Sequence, residues 1–184
     1  MSIKEKFLYN NLYLTSQPFF REKFKGNKRE FEKKLYNYIS KILKIKYPSQ
    51  EFKLKNSKRH SIAQMASPPL ALNFYKFLCG LKKPKRILEI GSFIGYSTLF
   101  LAKSTNKDCK VYTIEKFKEF LEIAKLNFKK NNLDKKIKII NGEAQEVLKK
   151  YKNLKFDFVF LDGDKGNYLK IFKLIENKHL MKGS

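Results

Sequence analysis

At 184 residues, 42% hydrophobic with 17 Phe and 10 Tyr, the chain is long enough to bury one core and too apolar for a disordered polymer. Its 41 Lys plus Arg against 17 Asp plus Glu give a formal charge of +24, which invites a phosphate-bearing partner. Only Arg21, Arg29, Arg59 and Arg86 among those cations are Arg, and Asn, Ile, Phe and Tyr are abundant; this is the composition of an A/T-rich genome, so the charge is discounted as a sign of function.

Cys79 and Cys109 are the two cysteines, and their wide spacing fits neither a disulfide framework nor a zinc pattern. Both read as reduced, buried small hydrophobes. His60 and His179 are isolated. Met1 to Tyr13 holds Lys4, Glu5 and Lys6 and no apolar run of signal-peptide length. No stretch approaches the roughly 20 apolar residues that span a bilayer. The expectation is a soluble, cytoplasmic protein with no membrane partner.

Residues 1–60 carry 16 Lys/Arg and five Glu, so +11 of the charge sits in the first third. Phe31, Leu35, Tyr38, Ile39, Ile42 and Leu43 recur at helical spacing with lysines between them, and Pro48 ends that helix. This third reads as a basic helical extension, and residues 61–184 as the main domain. Ser67-Pro68-Pro69 opens a second helix, with Ser67 as its cap and Pro68 in the first turn. Its apolar stripe is Leu70, Phe74, Phe77, Leu78 and Leu81.

From Arg86 the pattern alternates strand and helix. Strands are expected at Arg86–Ile90, Lys110–Ile114, Lys136–Ile140 and Phe156–Leu161. Helices are expected at Tyr96–Lys103, Lys118–Asn131, Glu143–Tyr151 and Tyr168–Asn177. Such alternation means an α/β fold, a parallel sheet with helices on both faces. In an open sheet of this kind ligands bind at the carboxyl ends of the strands. Four loops therefore converge on one crevice. The first carries Gly91 and Gly95, which permit a tight turn and close approach of a ligand to the backbone. Only two glycines stand there, so the dinucleotide fingerprint G-x-G-x-x-G is absent and a nicotinamide cofactor is disfavoured. Glu115 ends the second strand, where a carboxylate can accept from both hydroxyls of a ribose. Gly142 to Gln145 follows the third strand, and Asp162 to Lys165 the fourth.

The run Glu89 to Ser97 (EIGSFIGYS), Glu115, Gly142 to Gln145 (GEAQ) and Leu161 to Lys165 (LDGDK), with Ser67 to Pro69 ahead of them, resembles the cation-dependent O-methyltransferases of the catechol and caffeoyl-CoA type. The four segments occur in the family's order and at matching intervals over about residues 60 to 184. The resemblance implies a Rossmann-like S-adenosylmethionine-dependent methyltransferase fold with strand order 3-2-1-4. It implies that Gly91 lets S-adenosyl-L-methionine approach the backbone. Glu89, Tyr96 and Ser97 would surround its methionine end, with Ser97 bonding the carboxylate. Glu115 would hold the ribose, and Gly142, Ala144 and Gln145 would lie by the adenine. Met65 would pack near cofactor and substrate. Asp162 would contact the cofactor and bind a divalent cation, Mg²⁺. Lys165 would be the general base for the hydroxyl of a small phenolic or catechol-like substrate. A hard cation prefers oxygen ligands and acidifies a bound hydroxyl, so the set is chemically coherent.

The family also carries an Asp-Asn pair of metal ligands on the strand after strand four. Met181 to Ser184 resembles the turn just before it, so the resemblance implies a sheet that is incomplete at its C-terminal side and a chain poorly active alone. Strand four, apolar at five of six positions, would then self-associate as a homodimer or be covered by a segment supplied from elsewhere. Two other readings stay open: a tRNA hydroxyuridine O-methyltransferase, which the basic N-terminal third favours, and a catalytically inactive cofactor-binding module.

Overall fold

The computed structural model describes residues 34, 35, 37–39, 41, 42 and 66–184. The chain divides into two compact units, Met1–Ile45 and Lys46–Ser184. In the first, all seven described residues are helical, as the apolar spacing predicts. Leu35 and Ile39 are half-buried, while Tyr38 and Ile42 are exposed. Met65 and Pro48 lie outside the described residues.

In the second unit the alternation forms as expected, in the order α1 (Pro69–Lys82), β1 (Arg86–Ile90), α2 (Tyr96–Lys103), β2 (Lys110–Glu115), α3 (Lys118–Lys130), β3 (Ile137–Asn141), α4 (Ala144–Lys150), β4 (Phe158–Leu161) and α5 (Tyr168–Lys178). A 3-10 turn, Lys165–Asn167, leads into α5. The four strands are parallel in the order β3-β2-β1-β4. β1 and β2 are apolar because both sheet faces are covered. Ile87, Val111 and Ile137 pack on one face with Cys79 of α1, Leu99 and Leu101 of α2, and Ala124 and Phe128 of α3. Leu88, Ile90 and Ile114 pack on the other with Val147 and Leu148 of α4 and Ile171 and Ile175 of α5. Each Val, Leu, Ile or Phe among them, fully covered, contributes about 2 kcal/mol. Side chains alternate along a strand, so Glu89 projects with Ile87 toward the α2 face. Among the described residues no helix is long and apolar enough to cross a membrane.

Two local readings change. Ser67 does not cap α1: the cap position is Pro68, no side chain bonds there, and the Ser67 hydroxyl donates to Asp162 Oδ2 at 2.9 Å. β4 starts at Phe158, two residues late. Asp157 turns its carboxylate back to accept from the N–H groups of Lys85 (2.8 Å) and Arg86 (2.9 Å). Phe156, fully buried, pairs its backbone with His179 and Met181 instead. The remaining four residues of β4 are all half-buried.

Candidate functional site

The carboxyl ends of β1 to β4 enclose a cavity of about 330 Å³. Its floor is the turn after β1. Gly91 and Gly95 sit at φ +91° and +87°, and Phe93 between them at +49°. A Cβ on Gly91 would lie 2.6 Å from the Asp162 carbonyl oxygen and 2.9 Å from Gly163 Cα. Glycine is thus required by the approach of the β4 loop as well as by any ligand. Asp162 N–H donates to the Ile90 carbonyl at 3.0 Å, which holds the two loops together.

Glu115 closes β2 and is buried on the cavity wall. Phe93 N–H donates to its Oε2 at 2.8 Å and Phe117 N–H to its Oε1 at 2.9 Å. Each oxygen keeps a second lone pair. Burial raises the Glu115 carboxyl; those amide donors and the Lys116 charge offset part of it. On the rim, Lys116 pairs with Glu143 at 2.9 Å and lies 5.1 Å from the Phe117 ring centre. The hydrogen bond and charge of Glu143 raise the Lys116 ammonium.

Glu89 is fully buried and is not on the cavity wall. Ser97 Oγ donates to its Oε1 at 2.6 Å. Thr98 Oγ1 donates to Oε2, and so does Thr113 Oγ1 at 2.6 Å. Burial lifts this carboxyl to about 7; the three hydroxyl bonds pull the other way, and the charge of Asp162 raises it further.

Of the residues singled out by the sequence, Gly91, Tyr96, Ser97, Glu115, Gly142, Ala144, Gln145 and Asp162 line the cavity. Glu89 stands one shell behind Ser97. Lys165 is exposed on the 3-10 turn and off the wall, although Asp164 and Asn167 beside it are on it. Ser97 spends its one proton on Glu89, so it turns acceptor lone pairs to the cavity rather than the donor expected for a carboxylate. Sequence reading missed the apolar wall of Phe93, Phe117 and Phe120, whose rings meet edge-on at 4.6 and 5.5 Å. It also missed Thr98 and Thr113; the signal for Thr113 was its place opposite Glu89 in the parallel register.

The wall suits a ligand with an adenosine-like body. Ser92 Oγ is buried on it with no hydrogen-bond partner among the described residues. The Glu115 oxygens can accept two hydroxyls, and aromatic rings flank them. A divalent cation does not fit the described residues by themselves. Among them no three His, Cys, Asp or Glu side chains gather to hold a metal ion. Asp162 Oδ2 is engaged by Ser67, and the two Asp164 oxygens by Gly166 N–H (3.0 Å) and Asn167 Nδ2 (2.7 Å).

Residues 48–183 match the family model described as O-methyltransferase. The chain belongs to the O-methyltransferase family. It is 34% identical over 95 residues to the catechol O-methyltransferase of Mycobacterium tuberculosis, covering 50% of this chain and 43% of that protein. It is 33% identical over 132 residues to a caffeoyl-CoA O-methyltransferase of Populus kitakamiensis, covering 66% and 56%. The chain thus spans about half the length of these relatives. Its fold is that of the SAH-bound methyltransferase PaMTH1 of Podospora anserina, with a TM-score of 0.72 at 24% identity over 88% of this chain and 70% of that one. The fold is therefore the Rossmann-like α/β fold of S-adenosylmethionine-dependent methyltransferases.

Proposed function

We propose that this member of the O-methyltransferase family binds S-adenosyl-L-methionine in the cavity at the β1–β4 ends and transfers its methyl group to a hydroxyl of a small phenolic or catechol-like molecule. The observation that carries the reading is Glu115. It is a buried carboxylate on the cavity wall, oriented by two backbone N–H groups and still able to accept two more hydrogen bonds. A ribose diol is the group that uses both.

In this reading Gly142, Ala144 and Gln145 flank the adenine, Phe93 and Phe117 exclude water beside it, and Ser92, Tyr96 and Ser97 receive the methionine end. Bound S-adenosylmethionine supplies an electrophilic methyl on a sulfonium. The chain's contribution is placement: an acceptor oxygen held in line with that methyl gains most of its rate from orientation. The hydroxyl proton leaves to Lys165 in its neutral amine form, beside the wall residues Asp164 and Asn167 in the chain, and the methyl donor departs as its neutral thioether. Asp162 is the carboxylate that a divalent cation would use, and the described residues do not complete such a site.

Calorimetric titration of S-adenosylmethionine tests the assignment. Glu115→Ala should weaken binding by about 1.5–3 kcal/mol, roughly ten- to hundredfold in Kd. Unchanged affinity in that variant overturns it.

A further inference from the structure

The abundance of lysine follows from composition, but the places where the lysines stand do not. All four strands are parallel, so their amino ends open on the side of the sheet opposite the cavity. Within residues 66–184 the segments at that end are 82–86, 103–110, 129–136, 149–157 and 178–182. They hold 17 Lys or Arg against Asp108, Asp134 and Asp157, and every one of those cations except Lys136 is exposed. The rest of 66–184 holds eight Lys against nine Asp or Glu. A genome-wide bias toward lysine would spread the charge over both ends of the sheet. Helix polarity explains part of the segregation, because cations are favoured in a last turn. Seven of the 17 stand in the last turns of α1 to α5. The other ten lie in the loops and at the strand starts, beyond the turn over which that preference acts.

These segments join into one surface. Lys110 N–H donates to the Lys85 carbonyl at 2.9 Å, and its Nζ to the Lys135 carbonyl at 3.0 Å. Asp157 N–H donates to the Arg86 carbonyl at 3.1 Å, and Lys155 Nζ to the Lys178 carbonyl at 2.6 Å. Bonds to carbonyls hold these side chains in place without cancelling their charge. Asp157 spends its two oxygens on the backbone N–H groups of Lys85 and Arg86. The strand starts, about 4.8 Å apart, span about 14 Å, a length over which a double helix carries about eight phosphates. Exposed Asn106, Asn132 and Asn153 stand among the lysines and add neutral amide donors. Met181 is the one exposed large apolar side chain of these segments, so the face has little to insert into a lipid layer. We propose that the amino end of the sheet is a docking face for the phosphate backbone of a nucleic acid, across the sheet from the cofactor cavity. Phosphate contacts carry no sequence information, and Lys is a point charge without the bidentate fork of Arg. Binding is therefore indifferent to sequence, strongly salt-dependent, and leaves the cavity open.

The test is fluorescence anisotropy of labelled RNA and DNA duplexes of about 20 base pairs, titrated with the full chain between about 50 and 200 mM NaCl. With roughly four phosphates neutralised, log K should fall with log salt at a slope of about −3.5, roughly a hundredfold across that range and alike for RNA and DNA. A variant carrying Lys83→Glu, Lys107→Glu, Lys135→Glu and Lys152→Glu, exposed lysines from four of the segments, should lose more than about tenfold in affinity and most of the slope. A variant of the same net charge, with Lys76→Glu, Lys118→Glu, Lys170→Glu and Lys173→Glu, should lose less than about threefold. Should the first variant not fold, the pairs Lys83→Glu with Lys152→Glu and Lys107→Glu with Lys135→Glu take its place, each with a loss of roughly threefold or more. Equal losses in the two charge variants would mean that binding follows net charge, and overturn the proposal. Full affinity in the face variant, no binding of either duplex by the wild type, or capture by phosphatidylserine vesicles without binding of nucleic acid overturns it as well. Saturating duplex should leave the calorimetric affinity for S-adenosylmethionine unchanged, and competition between the two would refute the placement. No binding of S-adenosylmethionine with or without duplex overturns the proposed function and leaves the docking face standing.

Discussion

The ends of β1 and β2 hold two buried glutamates that the chain has solved in opposite ways. Glu115 is held by backbone N–H groups of Phe93 and Phe117, on the loops that its own cavity needs. Glu89 is held by the side chains of Ser97, Thr98 and Thr113. Backbone donors leave a carboxylate on the wall, because the loops that provide them also frame the opening. Side-chain donors from α2 and β2 surround the carboxylate and remove it from the wall. Glu115 lines the cavity; Glu89 lies behind Ser97, which does. Burial raises both carboxyls, Glu89 to about 7.

The comparison breaks most completely at the turn that both glutamates share. Gly91→Val places a branched side chain at φ +91° against the Asp162 carbonyl. We expect a loss of roughly 3 kcal/mol or more, read as a fall in the denaturant midpoint, and a loss of binding at both ends of the cavity. A variant of wild-type stability would show that the β4 loop does not lean on Gly91.

Next comes the pH dependence of stability in the ligand-free protein. The Glu89 carboxyl is raised in the folded state, from an ordinary 4.5 to about 7. The folded state therefore holds that proton more tightly than the unfolded chain, and the stability this confers is present below 4.5 and lost as pH rises through 7. The loss amounts to about 3 kcal/mol between pH 4.5 and 8. Chemical denaturation across that range should show it, and Glu89→Gln should flatten most of the slope. Glu115, raised in the same direction, leaves a residual slope. An unchanged slope in Glu89→Gln would mean that the three hydroxyls fully compensate its burial.

The Glu115→Ala loss of ten- to hundredfold in cofactor affinity ranks below these, and it should leave the pH slope due to Glu89 in place. The smallest effect is at the rim. Lys116 and Glu143 are both solvent-exposed, so Lys116→Met should change cofactor affinity by less than about fivefold, with the difference disappearing at high salt. A larger, salt-independent change would make the Lys116 side chain itself part of the adenine wall.

Most of the fold was legible in the chain. The 2-to-3.6 switch in periodicity from Arg86 onward placed every strand and helix of the sheet region to within about two residues, because β1 and β2 are mostly apolar and α3 and α5 each bury one side, although α2 is buried from Ser97 to Ala102. Glu115, Gly142 to Gln145 and Asp162 could be assigned to one crevice because a parallel sheet sends all its carboxyl ends to the same side. Local pattern could not say where a side chain spends its hydrogen bonds. Ser67 reads as a helix cap, yet it bonds Asp162, 95 residues away. Glu89 and Ser97 read as neighbours at a ligand, yet the pleat of β1 turns Glu89 into the α2 face, and Thr113, brought alongside by strand register, completes its shell. The order of apolar and polar residues determines which elements form and which end of the sheet is open. Which buried charge faces the cavity, and which is sealed behind a serine, is decided by strand register and helix placement, since a hydrogen bond depends on distances of a few ångströms that no sequence spacing contains.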